Sequence, residues 1–197
     1  MPSREARPAV PRRILTDRLV LRPLRAEDAG PYVHMFRDRR MWRFVPAGVW
    51  RKGGRKSMQR WRKWNRSKQA YHLIVRTRRD NAFVGEVAIH SISWGSRHGE
   101  LGYNIDRSQW GHGYATEASA ALVRWSFERA GFHRLDAETS EGNDGSARVL
   151  RKLGFRREGR RPGRTRLGTR WVAELEYGLL GADFQQQGRK RRVSRTR

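Results

Sequence analysis

The chain has 197 residues, 37% hydrophobic and 32% charged, which is long enough for one globular domain with a buried core. It contains no cysteine, which excludes disulfides, cysteine metal ligands and an acyl-cysteine intermediate. No apolar run approaches the ~20 residues of a membrane-spanning helix, and no apolar segment follows the charges near residue 1, so we expect a cytoplasmic protein.

The net charge of +25 is concentrated in four segments. Residues 37–68 carry +12 and residues 156–170 carry +6, while residues 1–13 and 182–197 carry +3 and +5. Such segments attract polyanions or anionic ligands, although a general habit of Arg-rich composition explains them as well. Residues 1–13 and 182–197 are low in apolar residues, and we predict that they are disordered basic tails around a domain of residues 14–181.

The first part of this domain predicts one strand and two helices. Apolar and polar side chains alternate in residues 14–24, which are rich in Leu and Val, and this pattern is typical of a strand. Residues 25–38 begin with acidic side chains and continue with apolar ones, which favours a helix. Residues 56–65 predict a second helix, in which Trp61 and Trp64 share one face. Core packing is the expected role of these indoles, and stacking on nucleic-acid bases is the alternative.

Three strands are expected next, over residues 70–77, 82–92 and 99–106, with a turn between the first two. An Ala-rich helix begins near residue 114, and its apolar side includes Ala118.

The last part of the domain predicts a strand, a helix and two further strands. The strand covers residues 133–140, and the helix covers residues 143–155 with Gly154 as its stop. Residues 155–159 and 170–180 are the two final strands. The order of elements predicts the α+β class, with a mostly antiparallel mixed sheet of about six to seven strands flanked by about four helices.

The segment QWGHGYATEA joins a loop to the start of the Ala-rich helix, with Gly111 and Gly113 on either side of His112. The N-terminus of a helix exposes free N–H donors with a partial positive charge, and glycine allows an anion to approach them. A P-loop is excluded because Tyr114 follows Gly113, and Thr116 does not fit a dinucleotide fingerprint. By spacing alone, a phosphate-binding loop and a simple tight turn are both open.

This segment resembles the acetyl-coenzyme A (acetyl-CoA) loop of the GNAT acetyltransferase superfamily, whose pattern is Gln/Arg-x-x-Gly-x-Gly/Ala. Other segments resemble the branch that contains the RimJ and RimL ribosomal-protein alanine N-acetyltransferases, in the same order along residues 14–180. The segments with this likeness are TDRLVLRPLRAEDA (16–29), FVGEVAIHSI (83–92), GELGYNID (99–106), GFHRLDAET (131–139) and NDGSARVLRKLGFRREG (143–159). The resemblance implies the GNAT fold and acetyl-CoA as co-substrate.

The resemblance also implies a binding site for the coenzyme. Backbone amides of residues 110–115 would bind its pyrophosphate, and the strand ending at Ile105 would run along its pantetheine arm. Gln109 occupies the first position of the loop pattern, and Asn143 and Ser146 match the Asn-x-x-Ser that contacts the coenzyme near its sulfur. The predicted coenzyme-binding residues are Asn104, Ile105, Gln109, Trp110, Gly111, His112, Gly113, Tyr114, Ala115, Asn143 and Ser146. For the His112 side chain, pointing into solvent is the alternative.

Acetyl transfer to an amine requires a base for the amine, a polarised thioester and a stabilised thiolate. Glu100 and Glu138 are the candidate bases, and the resemblance places an acid of the acceptor cleft at Glu100. Both can instead be solvent-facing strand carboxylates. Ser146 is the candidate proton donor to the thiolate, with hydrogen bonding at a helix N-terminus as its alternative. An acidic residue used by the RimJ/RimL branch near the last strand corresponds here to Ala173, with Glu174 beside it.

The acceptor is expected to be a primary amine, above all the N-terminal amine of a protein, with a lysine or a small molecule as alternatives. In this fold the basic segments 37–68 and 156–170 flank the acceptor opening, so they would repel a cationic molecule and attract an acidic or ribosome-associated chain. A nucleic-acid-binding module that contacts RNA, with catalysis lost or secondary, is the competing function. The six histidines show no metal-ligand spacing, so we expect no metal, and a monomer or a homodimer.

Overall fold

A computed structural model describes residues 7–44 and 55–193. Within these ranges the chain forms one mixed sheet of eight strands and five helices, which confirms the α+β class with slightly more elements than predicted. The strands are β1 (Ile14–Leu15), β2 (Leu19–Arg22), β3 (Tyr71–Thr77), β4 (Phe83–Ser93), β5 (His98–Ile105), β6 (Arg134–Ser140), β7 (Arg156–Leu167) and β8 (Arg170–Leu180). The helices are α1 (Ala29–Met35), α2 (Arg55–Ser67), α3 (Tyr114–Glu128), α4 (Asp144–Leu153) and α5 (Gly181–Val193).

The sheet has the strand order β1-β2-β3-β4-β5-β6-β8-β7. Among the described strands only β5 and β6 run parallel, because helix α3 returns the chain to the starting end of the sheet before β6 begins. None of the helices in the described ranges is long and apolar enough to cross a membrane.

Helices cover both faces of the sheet. The larger core lies under α3 and α4 and includes Leu73, Leu122 and Leu135, which are fully buried. A smaller core lies under α1 and α2 on the other face, where Tyr32 packs edge-on against Trp61. The predicted core position of Trp61 is confirmed, since its exposed fraction is 7%. The two cores hold the sheet between two layers of helices, so its middle strands are rigid and can position the residues of a site.

Two of the predicted strands differ from the structure. Residues 14–24 form two strands, because the Thr16 amide donates to the Leu19 carbonyl and the Leu19 amide donates to the Thr16 hydroxyl, which turns the chain. Residues 155–159 are only the start of β7, which continues to Leu167 as an exposed edge strand paired with β8. The Arg-rich sequence of β7 has no alternation of apolar and polar residues that would predict a strand. The strand extends to Leu167 because it pairs with β8.

The predicted tails are partly built into the structure. The Tyr71 hydroxyl donates to the Pro8 carbonyl at 2.7 Å, and in α5 the Phe184 ring packs on Phe127 with a centroid distance of 5.1 Å. A hydrogen bond to the Pro8 carbonyl and the ring contact of Phe184 thus join residues of these two segments to the domain. Residues 1–6 and 194–197 lie outside the described ranges.

A buried ion cluster joins α1 to the sheet. The Asp28 carboxylate is fully buried and accepts hydrogen bonds from Arg22 Nη1 at 2.7 Å, the Arg25 amide at 2.8 Å and Arg76 Nε at 2.9 Å. Burial alone would raise the pKa of Asp28, but these hydrogen bonds outweigh it and hold the pKa below its ordinary value.

We expect Asp28→Asn to lower the free energy of unfolding by about 3 kcal/mol, because it removes the buried negative charge that Arg22 and Arg76 share and leaves only the exposed Glu27 carboxylate beside Arg22. Since the folded-state pKa lies below the unfolded value of ~3.9, this stabilisation is present above about pH 4 and is lost as the pH falls through the folded-state pKa. Urea denaturation at neutral and acidic pH measures both effects. Asp17→Asn, at an exposed carboxyl group, is the control, and equal stability of the two variants would contradict the prediction.

Candidate active site

A cleft opens in the sheet where β5 and β6 separate. The two strands pair only over residues 98–100 and 134–136, whereas β6 stays paired with β8 as far as Ser140. Beyond Glu100, alternate backbone groups of β5 therefore face a gap and not a strand. The cleft has a volume of about 880 Å³ and extends from the loop before α3 to residues of β6 and β8.

The loop before α3 forms one end of the cleft. Gly111 and Gly113 have φ angles of 79° and 77°, in the left-handed region that favours glycine. In the described ranges, the amides of residues 111–116 donate to no protein acceptor, and the Glu117 amide is the first to bond within the helix, to the Gly113 carbonyl. Free amides at the N-terminus of a fifteen-residue helix are suited to an anionic group, and the pyrophosphate of coenzyme A fits this cradle.

The structure gives three of the residues predicted to contact the coenzyme partners within the protein. The Trp110 amide already donates to the Arg107 carbonyl at 3.2 Å, so the free amides begin at Gly111. The Trp110 indole donates to the Ile105 carbonyl at 2.8 Å, so the last carbonyl of β5 already has a partner within the protein. The His112 ring stacks on Tyr114 with a centroid distance of 5.5 Å, and His112 lies outside the described residues that line the cleft.

The N-terminus of α4 carries the Asn-x-x-Ser pair. Asn143 Oδ1 accepts a hydrogen bond from the Ser146 amide at 3.2 Å, so this side chain caps the helix. The Ser146 hydroxyl is not used in the cap and lies 2.8 Å from the Tyr103 hydroxyl of β5. Burial raises the pKa of Tyr103 to about 12, against the opposing effect of the Ser146 hydrogen bond, so the phenol stays protonated at neutral pH.

Three carboxylates line the opposite end of the cleft, from β5, β6 and β8. They are Glu100, Glu138 and Glu174. Burial and then the negative charges of Glu100 and Glu174 raise the pKa of Glu138 to about 7, while Arg161 opposes the shift. Glu174 extends into the cleft from β8, whereas Ala173 beside it is buried, so the acid of this strand lies one residue after the position expected from the RimJ/RimL branch.

The basic segments meet this end of the cleft only in part. Arg161 of β7 has Nη1 at 3.8 Å from Glu174 Oε1 and 3.9 Å from Glu138 Oε1, so its charge is largely compensated by carboxylates. Of the segment 37–68, Met41 and Phe44 line the cleft, and residues 45–54 lie outside the described ranges. In the part of the chain that the structure describes, no group of three or more His, Asp or Glu side chains is placed to hold a metal ion.

The structure thus brings nearly all of the predicted site residues to one cleft. Those that line it are Glu100, Asn104, Ile105, Gln109, Trp110, Gly111, Gly113, Tyr114, Ala115, Glu138, Asn143 and Ser146. Glu174, already named beside Ala173 from the sequence, also lines the cleft, as do His90 and Tyr103, which the sequence does not identify as site residues. Tyr103 lies on the same strand face as Leu101 and Ile105, and this pattern predicts packing in the core. His90 becomes a candidate only through the strand register, which places it opposite Glu100.

Comparisons with known proteins agree with this geometry. Residues 18–156 match the family model of the GNAT acetyltransferase domain. The chain is 26% identical over 171 residues to the uncharacterized N-acetyltransferase YnaD of Bacillus subtilis, covering 87% of this chain and 98% of YnaD. It is similar to the structure of a "putative ribosomal-protein-serine acetyltransferase" from Vibrio cholerae, with a TM-score of 0.72 and 26% identity over 88% of this chain and 99% of that one.

The structure of Mycobacterium smegmatis RimJ in complex with a CoA disulfide has the same fold, with a TM-score of 0.74 at 23% identity over 87% of this chain and 90% of that chain. The likeness to the RimJ/RimL branch is thereby confirmed at the level of the fold. The chain belongs to the GNAT family and is an acetyl-CoA-dependent N-acetyltransferase.

Proposed function

We propose that this enzyme acetylates the N-terminal α-amine of a protein chain. The observation that carries the proposal is the Glu138 carboxyl group, whose pKa is about 7, at the end of the cleft away from the coenzyme loop. An α-ammonium group with a pKa of ~7.7–8.0 can pass its proton to such a carboxylate at a cost of about one pKa unit, whereas a lysine at ~10.4 costs more than three. The similarity to the Vibrio cholerae protein also supports a protein acceptor.

In the proposed reaction the ammonium group enters between Glu100 and Glu138, and Glu138 accepts its first proton. Acetyl-CoA supplies the acetyl group as a thioester, and the free amine attacks the carbonyl carbon directly, since the chain has no cysteine for a thiol acyl-enzyme. A backbone N–H of β5 that faces the gap to β6 would hold the oxyanion.

Ser146 and Tyr103 would stabilise the leaving thiolate by hydrogen bonding. A thiol with a pKa of ~8.5 is a stronger acid than Tyr103, so permanent proton transfer from the phenol to the thiolate is unfavourable. Donation from the Tyr103 hydroxyl to Ser146 Oγ instead leaves the Ser146 proton free to point at sulfur. We therefore assign Ser146 as a hydrogen-bond donor to the thiolate, with Tyr103 behind it.

The charges at the acceptor end bear on the sequence of the acceptor. Glu100, Glu138 and Glu174 favour a cationic terminus and disfavour acidic side chains in the first residues that enter the cleft. An acidic or RNA-bound part of the acceptor would have to lie outside, against the basic strand β7, where Trp171 is 64% exposed at the start of the neighbouring strand. A ribosome-associated acceptor is compatible with this division.

The acceptor class is tested with labelled acetyl-CoA and a cell extract, followed by mass spectrometry of the labelled sites. We expect label on protein N-termini. A matched pair of peptides then separates the two amines: one has a free α-amine and an acetylated lysine, the other a blocked α-amine and a free lysine. At neutral pH the first should react at least about 100-fold faster, from the difference in amine pKa. The reverse order would contradict the proposal.

A further inference from the structure

A histidine lies beside Glu100 on the neighbouring strand. His90 of β4 is opposite Glu100 in the register of β4 and β5, and its Nδ1 is 3.6 Å from Glu100 Oε2 and 3.1 Å from Ser91 Oγ. The imidazole lies over Gly102, where a Cβ would come within 2.9 Å of His90 Nε2. His90, Glu100 and Gly102 all line the cleft. The imidazole of His90 therefore occupies space that a side chain at position 102 would fill.

The surroundings of His90 keep its imidazole neutral. Burial lowers the pKa of His90 below its ordinary value, the charge of Glu100 opposes this, His72 lowers it further, and Glu86 opposes it. A proton on Nδ1 is favoured because this nitrogen faces the Ser91 hydroxyl oxygen and the Glu100 carboxylate. The lone pair is then on Nε2, above Gly102 and within the cleft.

Further polar groups are buried behind this imidazole. Glu86 Oε1 accepts a hydrogen bond from Asn104 Nδ2 at 2.8 Å, while Glu86 Oε2 lies 3.7 Å from His72 Nδ1. In the described ranges, neither this oxygen nor either ring nitrogen of His72 has a hydrogen-bond partner. Unpaired polar atoms in a core cost stability, so each requires an explanation, and a role in a functional site is one of these. Here they adjoin two cleft residues, His90 and Asn104.

The reaction requires a second proton acceptor. An ammonium group and an acetyl thioester give an amide, a thiol and one released proton, so the acceptor nitrogen loses two protons in all. Glu138 takes the first proton before attack. After attack the nitrogen of the tetrahedral intermediate is positively charged, and it must lose the second proton as the C–S bond breaks.

We propose that His90 and Glu100 form a base dyad, in which His90 Nε2 takes this second proton and Glu100 holds Nδ1–H. The C–N bond is formed by the amine lone pair, and the C–S electrons leave on sulfur. Of the two protons taken up by Glu138 and His90, one passes to the thiolate and gives the thiol, and the other is released to solvent. Glu100 is a positioning residue that orients the imidazole and stabilises the imidazolium. The inference builds on the proposed function, since it assigns the second base for the same amine.

The kinetic test compares His90→Gln with His98→Gln. His98 is also beside a carboxylate, with Nε2 2.6 Å from Asp136 Oδ2, but it is outside the described cleft lining. We expect His90→Gln to lower kcat about 100-fold with unchanged coenzyme affinity by calorimetry, and His98→Gln to stay within about twofold of wild type. Gly102→Ala should displace the imidazole and reproduce the loss, without adding to it in the double variant. Equal activity of the two histidine variants would overturn the dyad.

A second measurement does not depend on the acceptor. Nuclear magnetic resonance titration of the His90 ring gives its pKa in the wild type and in Glu100→Gln, and loss of the carboxylate should lower that pKa. An unchanged value would overturn the role of Glu100 even if the kinetic result held. If the wild type acetylated no α-amine, the proposed acceptor would fail, while the titration and the comparison with whichever amine is the acceptor would still decide the dyad.

Discussion

Gly113→Val should abolish coenzyme binding, raising the Kd for coenzyme A by at least about 1000-fold, or about 4 kcal/mol. A branched side chain at this position would stand where the pyrophosphate must approach the free amides of residues 111–115. Each hydrogen bond from an amide to a charged phosphate contributes about 1.5–3 kcal/mol, so the loss of two or three accounts for an effect of this size. Isothermal titration calorimetry measures it directly.

Gly168→Val is the control that distinguishes blocked access of the pyrophosphate from backbone strain caused by valine at a positive φ. Gly168 lies in the turn between β7 and β8 with a φ of 61°, and no described atom is within 4 Å of the position that its Cβ would take. Valine is therefore strained there as it is at Gly113, but away from the cleft. We expect this control to bind coenzyme A as the wild type does. Wild-type affinity in folded Gly113→Val would show that the coenzyme does not bind at this loop.

Glu138→Gln should reduce kcat/KM for a peptide α-amine by about 1000-fold, because it removes the group that accepts the first proton. The pKa of Glu138 is raised to about 7, and the carboxylate is the active form. Wild-type activity should therefore be present above about pH 7 and fall about tenfold per pH unit below it, whereas the variant should lack this limb of the profile. Peptide assays from pH 5.5 to pH 8.5, a range of about three units around that value, measure the difference.

Glu158→Gln is the matched control for this prediction. Glu158 belongs to β7, pairs with Arg134 and has a side chain that is 47% exposed, outside the described cleft lining. The substitution removes one carboxylate near the same strands but outside the cleft, so we expect its activity to stay within about twofold of wild type. A wild-type pH profile in Glu138→Gln, or an equal loss in Glu158→Gln, would contradict the role given to Glu138.

Much of the fold can be predicted from the sequence because its signals are local. Their β-rich composition and the turn residues between them locate the strands at residues 70–77 and 82–92 to within a residue or two. Helical spacing locates α2 at Arg55–Ser67, where residues 56–65 are expected. Gly154 ends α4 with a φ of 91°, as its position after the apolar pattern predicts. The glycines at the mouth of α3 are likewise a local feature. By spacing alone they leave a tight turn and a phosphate-binding loop open, and the resemblance to the GNAT loop pattern is what favours a coenzyme loop.

Only the tertiary structure decided how the acceptor end of the cleft is built. The separation of β5 from β6 after Glu100, the phenol of Tyr103 on Ser146 and the imidazole of His90 beside Glu100 all depend on pairing between distant segments. Strand register is a long-range property, and alternation cannot distinguish a side chain that faces the core from one that faces a cleft on the same side of the sheet. The raised pKa of Glu138 has the same origin, since it requires carboxylates from three strands to meet in a partly buried space.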